Sequence, residues 1–575
     1  MAMTMILTMS MTAFAAEASK GTLTVNNTVA GKTLDLYQIF TATKNGNNVA
    51  YTLNSAYEGF FQSKITDAST LKGEALSEKA YDYVKTQVGT DGSNGAAFAK
   101  DIMGWILSAS GETKTAVEST HSTTTTADTK TVIENLIYGY YVVYPLGATD
   151  TSTAPGNETV KSVASLVNVT GDASINMKSN YPTVDKKIIP AQSGSGIKVG
   201  AIVDASWDGS HHMGLEDDEN ESEDTIAPRG AADEKKAGDF GIGDTVTYQL
   251  TSKVPDMTGY NSYTFKFSDT LSKGLDLKEV LSVKVGNTTL TAKGTGANTY
   301  ALAYDQAKRT LTVTLNDFYN SYKNHTGETI TVVYTATLNK DAVIGMNPNT
   351  NKAVVEYSNN PSTDKTGTSE PSTVDAHTFD FTIYKYYLKD QNNKEDKIAL
   401  EKAEFELYKG NTEGTAADEQ AKVNIVDEGN GVYRQATADE AKAADFTSAK
   451  IVSDADGKVL VKGLDAGIYY LRETKAPEGY NKLLSDIKVV IKADYDVKTG
   501  KLTSYSVDYT YNGKTTNGTA ITDKDSHPVV AVENKTGAQL PSTGARTALL
   551  LTLAGVVLFA FMAASSIYSK RREAR

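Results

Sequence analysis

The sequence predicts a mainly β protein built from serial β-sandwich domains, with some helix in the first domain. Apolar and polar residues alternate over long stretches, as in Val246, Tyr248 and Leu250, which is the period of half-buried strands. Turn-forming pairs such as Asp456-Gly457 and Asn512-Gly513 punctuate the alternation. Three such regions in series with short joints indicate a rod of sandwiches rather than barrels.

Composition limits the function classes. The chain has 575 residues, enough for three or four domains, and its 57 Lys+Arg against 70 Asp+Glu give a net charge of -13. This charge argues against a nucleic-acid-binding surface. The chain has no cysteine, so disulfides and thiolate metal sites are excluded. The six histidines form no metal-ligand pattern, and we expect neither a metal nor a cofactor.

Both ends of the chain indicate export and anchoring. Met5–Phe14 is mostly apolar and Ala13-Phe14-Ala15 offers a cleavage site, so we predict a signal peptide over 1–16, weak because it lacks a basic start. Thr547–Tyr568 carries no charge and is long enough for a transmembrane helix. The basic residues 570–572 would hold the end of the chain in the cytoplasm.

Between these ends we predict three domains, over 17–179, 180–362 and 377–536. The first contains helical spacing over Glu78–Val88 and Ala96–Leu107. A Ser/Thr/Pro-rich stretch, 363–376, is predicted to be a linker, and 537–575 is the anchoring segment.

The second domain contains a glycine-rich and acidic insert at 190–242, which we predict to be a mobile or disordered loop. A calcium site in its acidic run Glu216–Asp224 is the alternative, although the run lacks EF-hand spacing.

Polar residues occupy core-facing positions of several predicted strands. In the third domain, the apolar faces that include Phe381, Leu471 and Val532 continue to a lysine, a glutamate and an asparagine. The second domain repeats this pattern with an aspartate, whereas residues 21–179 contain no convincing triad. The predicted triads are Lys385, Glu473 and Asn534 in the third domain, and Lys186, Asp269 and Asn359 in the second, with Lys187 and Asn360 as register alternatives.

An isolated buried lysine costs several kcal/mol, so each triad needs a joint explanation. One explanation is a buried salt bridge with a hydrogen-bonded amide, and another is that the strand ends emerge into solvent. The third is an intramolecular isopeptide bond. Burial favours the neutral amine and the neutral acid, so the amine can attack the asparagine amide while the acid moves protons, and ammonia is lost.

The segment before the apolar run resembles the cell-wall sorting signal of Gram-positive surface proteins. The pattern Leu-Pro-any-Thr-Gly is followed by an apolar helix and a basic tail, in the order that this family has. The resemblance implies that the membrane transpeptidase sortase attacks the Thr543–Gly544 bond and passes the acyl group to an amine. The matching residues are Leu540, Pro541, Ser542, Thr543 and Gly544.

Two domains resemble the modules of Gram-positive pilins. The string 470–480, Tyr-Leu-Arg-Glu-Thr-Lys-Ala-Pro-Glu-Gly-Tyr, resembles the pilin E-box, and Glu473 matches its catalytic glutamate. The third domain resembles the CnaB module and the second resembles the fimbrial isopeptide-forming D2 module. These resemblances imply immunoglobulin-like CnaA- and CnaB-type sandwiches, with Glu473 and Asp269 as the acids of two Lys-Asn bonds.

Together the motifs identify the chain as similar to sortase-assembled backbone pilins. This implies a fimbrium on the cell wall of a Gram-positive bacterium, with sortase, identical subunits and peptidoglycan as partners. Minor pilins and a host surface ligand are further expected partners. In such pilins the acceptor lysine often lies in a Tyr-Pro-Lys motif, but here Tyr181-Pro182 is followed by Thr183. We therefore expect Lys178 to be the acceptor, with Lys187 as the alternative.

Two other function classes remain as alternatives. A singly wall-anchored adhesin would share the sorting signal but would not polymerise. A hydrolase is suggested only by Ser69-Thr70-Leu71-Lys72 and Lys365-Thr366-Gly367, which echo penicillin-binding-protein motifs, and Ser-Asp-Asn is absent. We therefore predict that the protein is not an enzyme beyond its own crosslinking.

Overall fold

The structure is a computed structural model, and three pairs of β-sheets follow one another along the chain. It describes residues 19–89, 92, 94–107, 117–127, 129–149, 163–177, 180–191, 197–198, 236–292, 294–361, 364–496, 499–536, 556–558, 560 and 562. Strands dominate over helices, so the predicted fold class of serial β-sandwich domains is confirmed.

Among the described residues, the first pair of sheets contains the three longest helices. A three-stranded sheet has the order β5-β1-β8, and a five-stranded one has the order β3-β2-β6-β7 with β4 paired to β2. The predicted helices over 78–88 and 96–107 are observed as the longer α2 and α3. The elements are β1 Lys20–Asn26, β2 Thr33–Asn45, β3 Asn48–Leu53, a 3-10 helix Ser55–Tyr57, α1 Glu58–Lys64, α2 Gly73–Val88, α3 Gly95–Leu107, β4 His121–Thr124, β5 Lys130–Ile137, β6 Gly139–Pro145, β7 Ser165–Val169 and β8 Ala173–Asn176.

The second pair of sheets encloses one apolar core. One sheet has the order β10-β14-β19-β12-β9, and the other has the order β11-β22-β20-β13-β18-β17-β16; β15 pairs with β14 and β21 with β20. The elements are β9 Asp185–Ile189, β10 Ile197–Lys198, β11 Ala237–Asp239, β12 Thr245–Lys253, β13 Phe265–Leu271, β14 Leu275–Val285, β15 Thr288–Thr289, β16 Thr291–Ala292, β17 Thr299–Asp305, β18 Thr310–Leu315, α4 Phe318–Tyr322, β19 Thr329–Leu338, β20 Asn349–Ser358, β21 Thr366–Thr368 and β22 Ser372–His377.

The segment predicted to be a linker, 363–376, was assigned wrongly. It contains β21 and most of β22, which both pair antiparallel with β20. Val374 and Ala376 are buried in the core of the second sandwich. The end of the predicted insert 190–242 is also ordered, since β11 pairs parallel with β22. The acidic run Glu216–Asp224 lies outside the described residues.

In the third pair of sheets, the first strand of the domain, β23, pairs with the last, β35. One sheet has the order β24-β23-β30-β28-β27, with β35 paired parallel to β23; the other has the order β26-β25-β31-β32-β33-β34, with β29 on β25. The elements are β23 Phe379–Leu388, β24 Lys397–Ala399, β25 Glu404–Gly410, β26 Ala417–Lys422, β27 Ile425–Gly429, β28 Val432–Gln435, α5 Ala438–Lys442, β29 Ile451–Val452, β30 Lys458–Leu464, β31 Gly467–Lys475, β32 Ile487–Tyr495, β33 Leu502–Tyr511, β34 Lys514–Thr516 and β35 Val529–Glu533.

A predicted turn fixes one register of this third sandwich. Asn512 and Gly513 connect β33 to β34, and both have positive φ angles, 50° and 74°. Such angles belong to the two-residue hairpin turn that matches the twist of the strands.

The predicted membrane span, Thr547–Tyr568, lies mostly outside the described residues. Within the described part of the chain, no helix has the length and hydropathy needed to cross a membrane.

Candidate crosslinking sites

Three predicted residues of the third sandwich meet in its core. Lys385 on β23 lies opposite Val532 on the parallel strand β35, which places Asn534 on the same face two residues further on. Glu473 reaches the pair from β31 in the facing sheet. All three side chains are buried, and Lys385 Nζ lies 3.0 Å from Glu473 Oε1. Asn534 Nδ2 donates to Glu473 Oε2 at 3.2 Å. The glutamate therefore has one oxygen towards each of the two nitrogens.

A loop after β31 orients the acid and the amide. The backbone oxygen of Asn481 accepts a hydrogen bond from Asn534 Nδ2 at 2.6 Å. The backbone N–H of Leu483 donates to Glu473 Oε2 at 2.8 Å. Both contacts use backbone groups of one short segment, so they fix the asparagine with its nitrogen towards the loop and the glutamate.

The electrostatics of this cluster make Lys385 easier to deprotonate than an ordinary lysine. Burial lowers the pKa of Lys385 to about 8, against the opposing attraction of Glu473. Within the described part of the chain, the buried Asn534 Oδ1 accepts no hydrogen bond. A proton moved from Lys385 to Glu473 would leave an uncharged amine and a carboxyl O–H that can donate to an amide oxygen.

The second sandwich contains a similar cluster, contributed by both of its sheets. Lys186 on β9 and Tyr334 on β19 belong to one sheet, and Asp269 on β13 and Asn351 on β20 belong to the other. All four are buried. Lys186 Nζ donates to Asp269 Oδ2 and, at 2.5 Å, to the Tyr334 hydroxyl. That hydroxyl donates to Asp269 Oδ2 at 2.8 Å and accepts from Asn351 Nδ2 at 2.6 Å.

The asparagine predicted for this site, Asn359, lies elsewhere. Asp269 is opposite Ala353 on β20, and Asn359 follows the strand six residues later, about 20 Å away along an extended chain. Its side chain lies beside Gly147 and Gly367. Asn351 is two residues from Ala353 in the other direction and occupies the position beside the acid. The apolar face was predicted correctly, but the asparagine lies at its opposite end.

The register alternatives are also outside the cluster. Lys187 is half-buried and its Nζ lies 3.5 Å from Asp185. Asn360 follows β20 and is half-buried.

The pKa of the lysine in the second cluster is lowered by burial, as is that of Lys385 in the third sandwich. Burial lowers the pKa of Lys186 to about 8 and raises that of Asp269, and the attraction between the two groups only partly opposes these shifts. Two buried oxygens, Asp269 Oδ1 and Asn351 Oδ1, accept no hydrogen bond from the residues the structure describes. A proton on the Asp269 carboxyl would supply a hydrogen-bond donor, which Asp269 Oδ1 and Asn351 Oδ1 both lack.

Several predicted residues lie outside the described residues: the acceptor Lys178 and the sorting signal Leu540, Pro541, Ser542, Thr543 and Gly544. Among the described residues, no group of three or more His, Asp or Glu side chains is arranged to hold a metal ion.

Comparison with protein families assigns the parts of the chain. Residues 242–361 match the family described as Gram-positive pilin backbone subunit 2, Cna-B-like domain. Residues 385–505 match a prealbumin-like fold domain, and 532–574 match the LPXTG cell wall anchor motif. The chain therefore contains a Gram-positive pilin backbone domain and a cell-wall anchor. Its anchor places it on the cell wall as a substrate of sortase, and the matched pilin families are structural subunits rather than enzymes.

Solved structures of major pilins are similar to this chain over most of its length. The T6 backbone pilin of Streptococcus pyogenes is 15% identical with a TM-score of 0.45, and the match covers 91% of this chain and 100% of that one. The major pilin SpaA of Corynebacterium diphtheriae is 15% identical with a TM-score of 0.40, covering 90% and 100%. A search of curated protein sequences found no significant match.

Proposed function

We propose that this pilin is the backbone subunit of a covalently polymerised pilus, stabilised by two intramolecular Lys-Asn isopeptide bonds. The observation that carries the proposal is that a lysine, an acid and an asparagine meet in the core of each of two consecutive sandwiches. No core-packing requirement explains the same three polar groups twice, because burying them unpaired is costly. In this proposal the first domain extends over 17–179, the second from 180 to the end of β22 at His377, and the third from β23 to 536.

In the third sandwich the bond would join Lys385 to Asn534. The neutral amine attacks the amide carbon Cγ, and protonated Glu473 donates to Oδ1. The Nζ proton then passes by way of the glutamate to Nδ2, the Cγ–Nδ2 bond breaks, and ammonia leaves. Glu473 is suited to this role because its two oxygens lie near both nitrogens.

In the second sandwich the bond would join Lys186 to Asn351, with Asp269 as the acid. The bond formed and the ammonia lost are the same, but the bond would link the two sheets of the sandwich, since β9 and β20 belong to different sheets. In the third sandwich it would link neighbouring first and last strands instead.

Such bonds would stabilise a cysteine-free exported protein. Joining Lys385 to Asn534 closes a loop of 534 − 385 = 149 residues, and the chain-entropy model used for disulfides gives about 5 kcal/mol for that length. Because the bond ties the first strand to the last, tension along the pilus would pass through the crosslink rather than unfold the sandwich.

Polymerisation would join Thr543 of one subunit to a lysine of the next, and we propose Lys178 as that acceptor. A pilin gives a ladder of SDS-resistant polymers in cell-wall extracts. The alternative, a singly anchored adhesin, gives one wall-linked species. Lys178→Arg should abolish the ladder while anchoring through Thr543 persists, whereas Lys187→Arg, at the alternative acceptor, should leave the ladder unchanged. A ladder unchanged by Lys178→Arg would eliminate Lys178, and no ladder in the unmodified protein would favour the adhesin.

The polymer would support adhesion, with minor pilins and a host surface ligand as additional partners.

A further inference from the structure

The hydroxyl of Tyr334 lies between all three groups of the second cluster. It accepts hydrogen bonds from Lys186 Nζ at 2.5 Å and from Asn351 Nδ2 at 2.6 Å, and it donates to Asp269 Oδ2 at 2.8 Å. The attacking nitrogen and the leaving nitrogen of the proposed reaction therefore share one hydroxyl. Tyr334 is fully buried, so the described protein groups rather than bulk water surround this hydroxyl.

In the second cluster, the Tyr334 hydroxyl makes a contact that a carboxyl oxygen of Glu473 makes in the third sandwich. There the two carboxyl oxygens of Glu473 face Lys385 Nζ and Asn534 Nδ2 directly. The acid of the second sandwich is an aspartate, one methylene shorter. Asp269 Oδ2 contacts Lys186 and Tyr334, whereas the hydrogen bond from Asn351 Nδ2 goes to Tyr334. Aspartate and tyrosine together thus make the contacts that glutamate makes alone.

We propose that Tyr334 is a catalytic residue of the second crosslink, relaying the proton from the attacking amine to the leaving amide nitrogen. The inference rests on the proposed isopeptide function. Once Nζ has bonded to Cγ of Asn351, Nζ must lose a proton and Nδ2 must gain one before ammonia can leave. Direct transfer between two nitrogens on one carbon passes through a strained four-membered ring.

The tyrosine hydroxyl enlarges that ring to six atoms. It takes the proton from Nζ and gives its own proton to Nδ2, so Tyr334 ends the step as it began. Asp269 stays protonated throughout and its O–H polarises Asn351 Oδ1. The Cγ–Nδ2 bond breaks, its electron pair leaves with ammonia, and the product is a secondary amide. Burial raises the pKa of Tyr334 well above its ordinary value, which keeps the hydroxyl protonated before the reaction.

The test compares crosslinking rates of the two sandwiches in one full-length molecule. The chain is made by cell-free translation, quenched at intervals and digested, and branched peptides are counted by mass spectrometry. In Tyr334→Phe, we expect the Lys186–Asn351 peptide to form about 10²-fold more slowly or not at all, the usual effect of losing a general acid-base group. The Lys385–Asn534 peptide should form at the unmodified rate, which serves as the internal control for synthesis and folding.

The matched control is Tyr263→Phe. Tyr263 is buried in the same apolar core, where its ring contacts Tyr260 and Phe318 rather than the side chains of the second cluster. The substitution makes the same chemical change in the same core, so it should leave the second crosslink rate within about two-fold, far less than the loss expected of a general acid-base group.

A second variant tests the length argument. Adding Asp269→Glu to Tyr334→Phe supplies the missing methylene in the space that the hydroxyl vacates, nearly conserving volume. We expect this double variant to recover a substantial part of the second crosslink rate. An unchanged second crosslink rate in Tyr334→Phe would overturn the proton relay. A double variant that crosslinks no faster than Tyr334→Phe would refute the claim that Asp269 and Tyr334 together make the contacts that a glutamate makes alone. If neither branched peptide forms in the unmodified protein, the proposed function itself has failed.

Discussion

Replacement of Glu473 by glutamine should leave the third sandwich folded but uncrosslinked. Glutamine has nearly the same shape and can keep the hydrogen bond from the Leu483 backbone N–H, which now goes to Glu473 Oε2 at 2.8 Å. It has no carboxyl proton to donate to Asn534 and no basic oxygen to accept one from Lys385. The chemistry therefore stops, although the packing around Lys385 and Asn534 is almost unchanged.

The size of the effect follows from the closed loop. Losing a crosslink over 149 residues, 534 − 385, removes about 5 kcal/mol in the chain-entropy model. For a domain of about 160 residues, taken as 377–536, this corresponds to a decrease in Tm of roughly 10–20 °C. Intact-mass spectrometry should show the variant missing one loss of about 17 Da, the mass of ammonia, and calorimetry should show the lower transition.

Glu404→Gln is the matched control in the same sandwich. Glu404 is paired with Lys475 at 2.9 Å on the surface, where an ion pair contributes at most about 1 kcal/mol. It should keep both mass losses and nearly the unmodified Tm. A Glu473→Gln protein that still loses the third-domain ammonia would refute the assignment of Glu473 as the acid.

Two further predictions test which asparagine reacts in the second sandwich and which protonation state of the lysine and the acid is reactive. Asn351→Ala should abolish the second-domain loss of about 17 Da whereas Asn359→Ala should retain it, and peptide mapping that gives the reverse would restore Asn359 to the site. The rate of crosslinking should be bell-shaped in pH, because the reactive neutral pair holds one proton in total. It should fall above about pH 8 as Lys186 and Lys385 lose their proton to solvent. In the second sandwich it should also fall at acid pH, as Asp269, whose pKa burial raises, becomes protonated beside a charged Lys186. A rate that rises steadily from pH 6 to 10 would contradict a protonated acid in the reaction.

The alternation of apolar and polar side chains predicts which face of a strand is buried. It does not predict which residue along that face reaches the reactive cluster. In β20 the residues Asn351, Ala353, Val355 and Tyr357 share the core side, and Asn359 continues the same parity. Sequence alone offers asparagine at both ends of this face. The choice depends on the register between β20 and β13, which places Ala353 opposite Asp269. That register depends on pairs of residues that lie 80 or more positions apart in sequence.

Tyr334 was missed for a different reason. A tyrosine in a run such as Thr329–Leu338 looks like an ordinary core aromatic, because its ring satisfies the apolar pattern and its hydroxyl carries no signal of its own. Only the meeting of two sheets brings that hydroxyl to the lysine, the acid and the amide. In the third sandwich the sequence pattern was sufficient to find the cluster, because Lys385, Glu473 and Asn534 each follow a clear apolar alternation.

The segment predicted to be a linker, 363–376, shows that composition alone does not identify short strands. Serine, threonine and proline between 361 and 374 suggested an irregular joint. Yet Val374 and Ala376 alternate as a strand does, and both are buried where β22 pairs with β20. Short strands of small polar residues are stabilised by their neighbours in the sheet, a tertiary effect that local propensity does not record.

The measurement that tests the central claim most directly is peptide mapping of the mature pilin released from the cell wall, combined with its intact mass. The account predicts a mass about 34 Da below that calculated for the same processed chain without crosslinks, one ammonia for each of two bonds. It also predicts two branched peptides, one joining Lys385 to Asn534 and one joining Lys186 to Asn351. The full calculated mass, with linear peptides carrying unmodified Asn534 and Asn351, would contradict it.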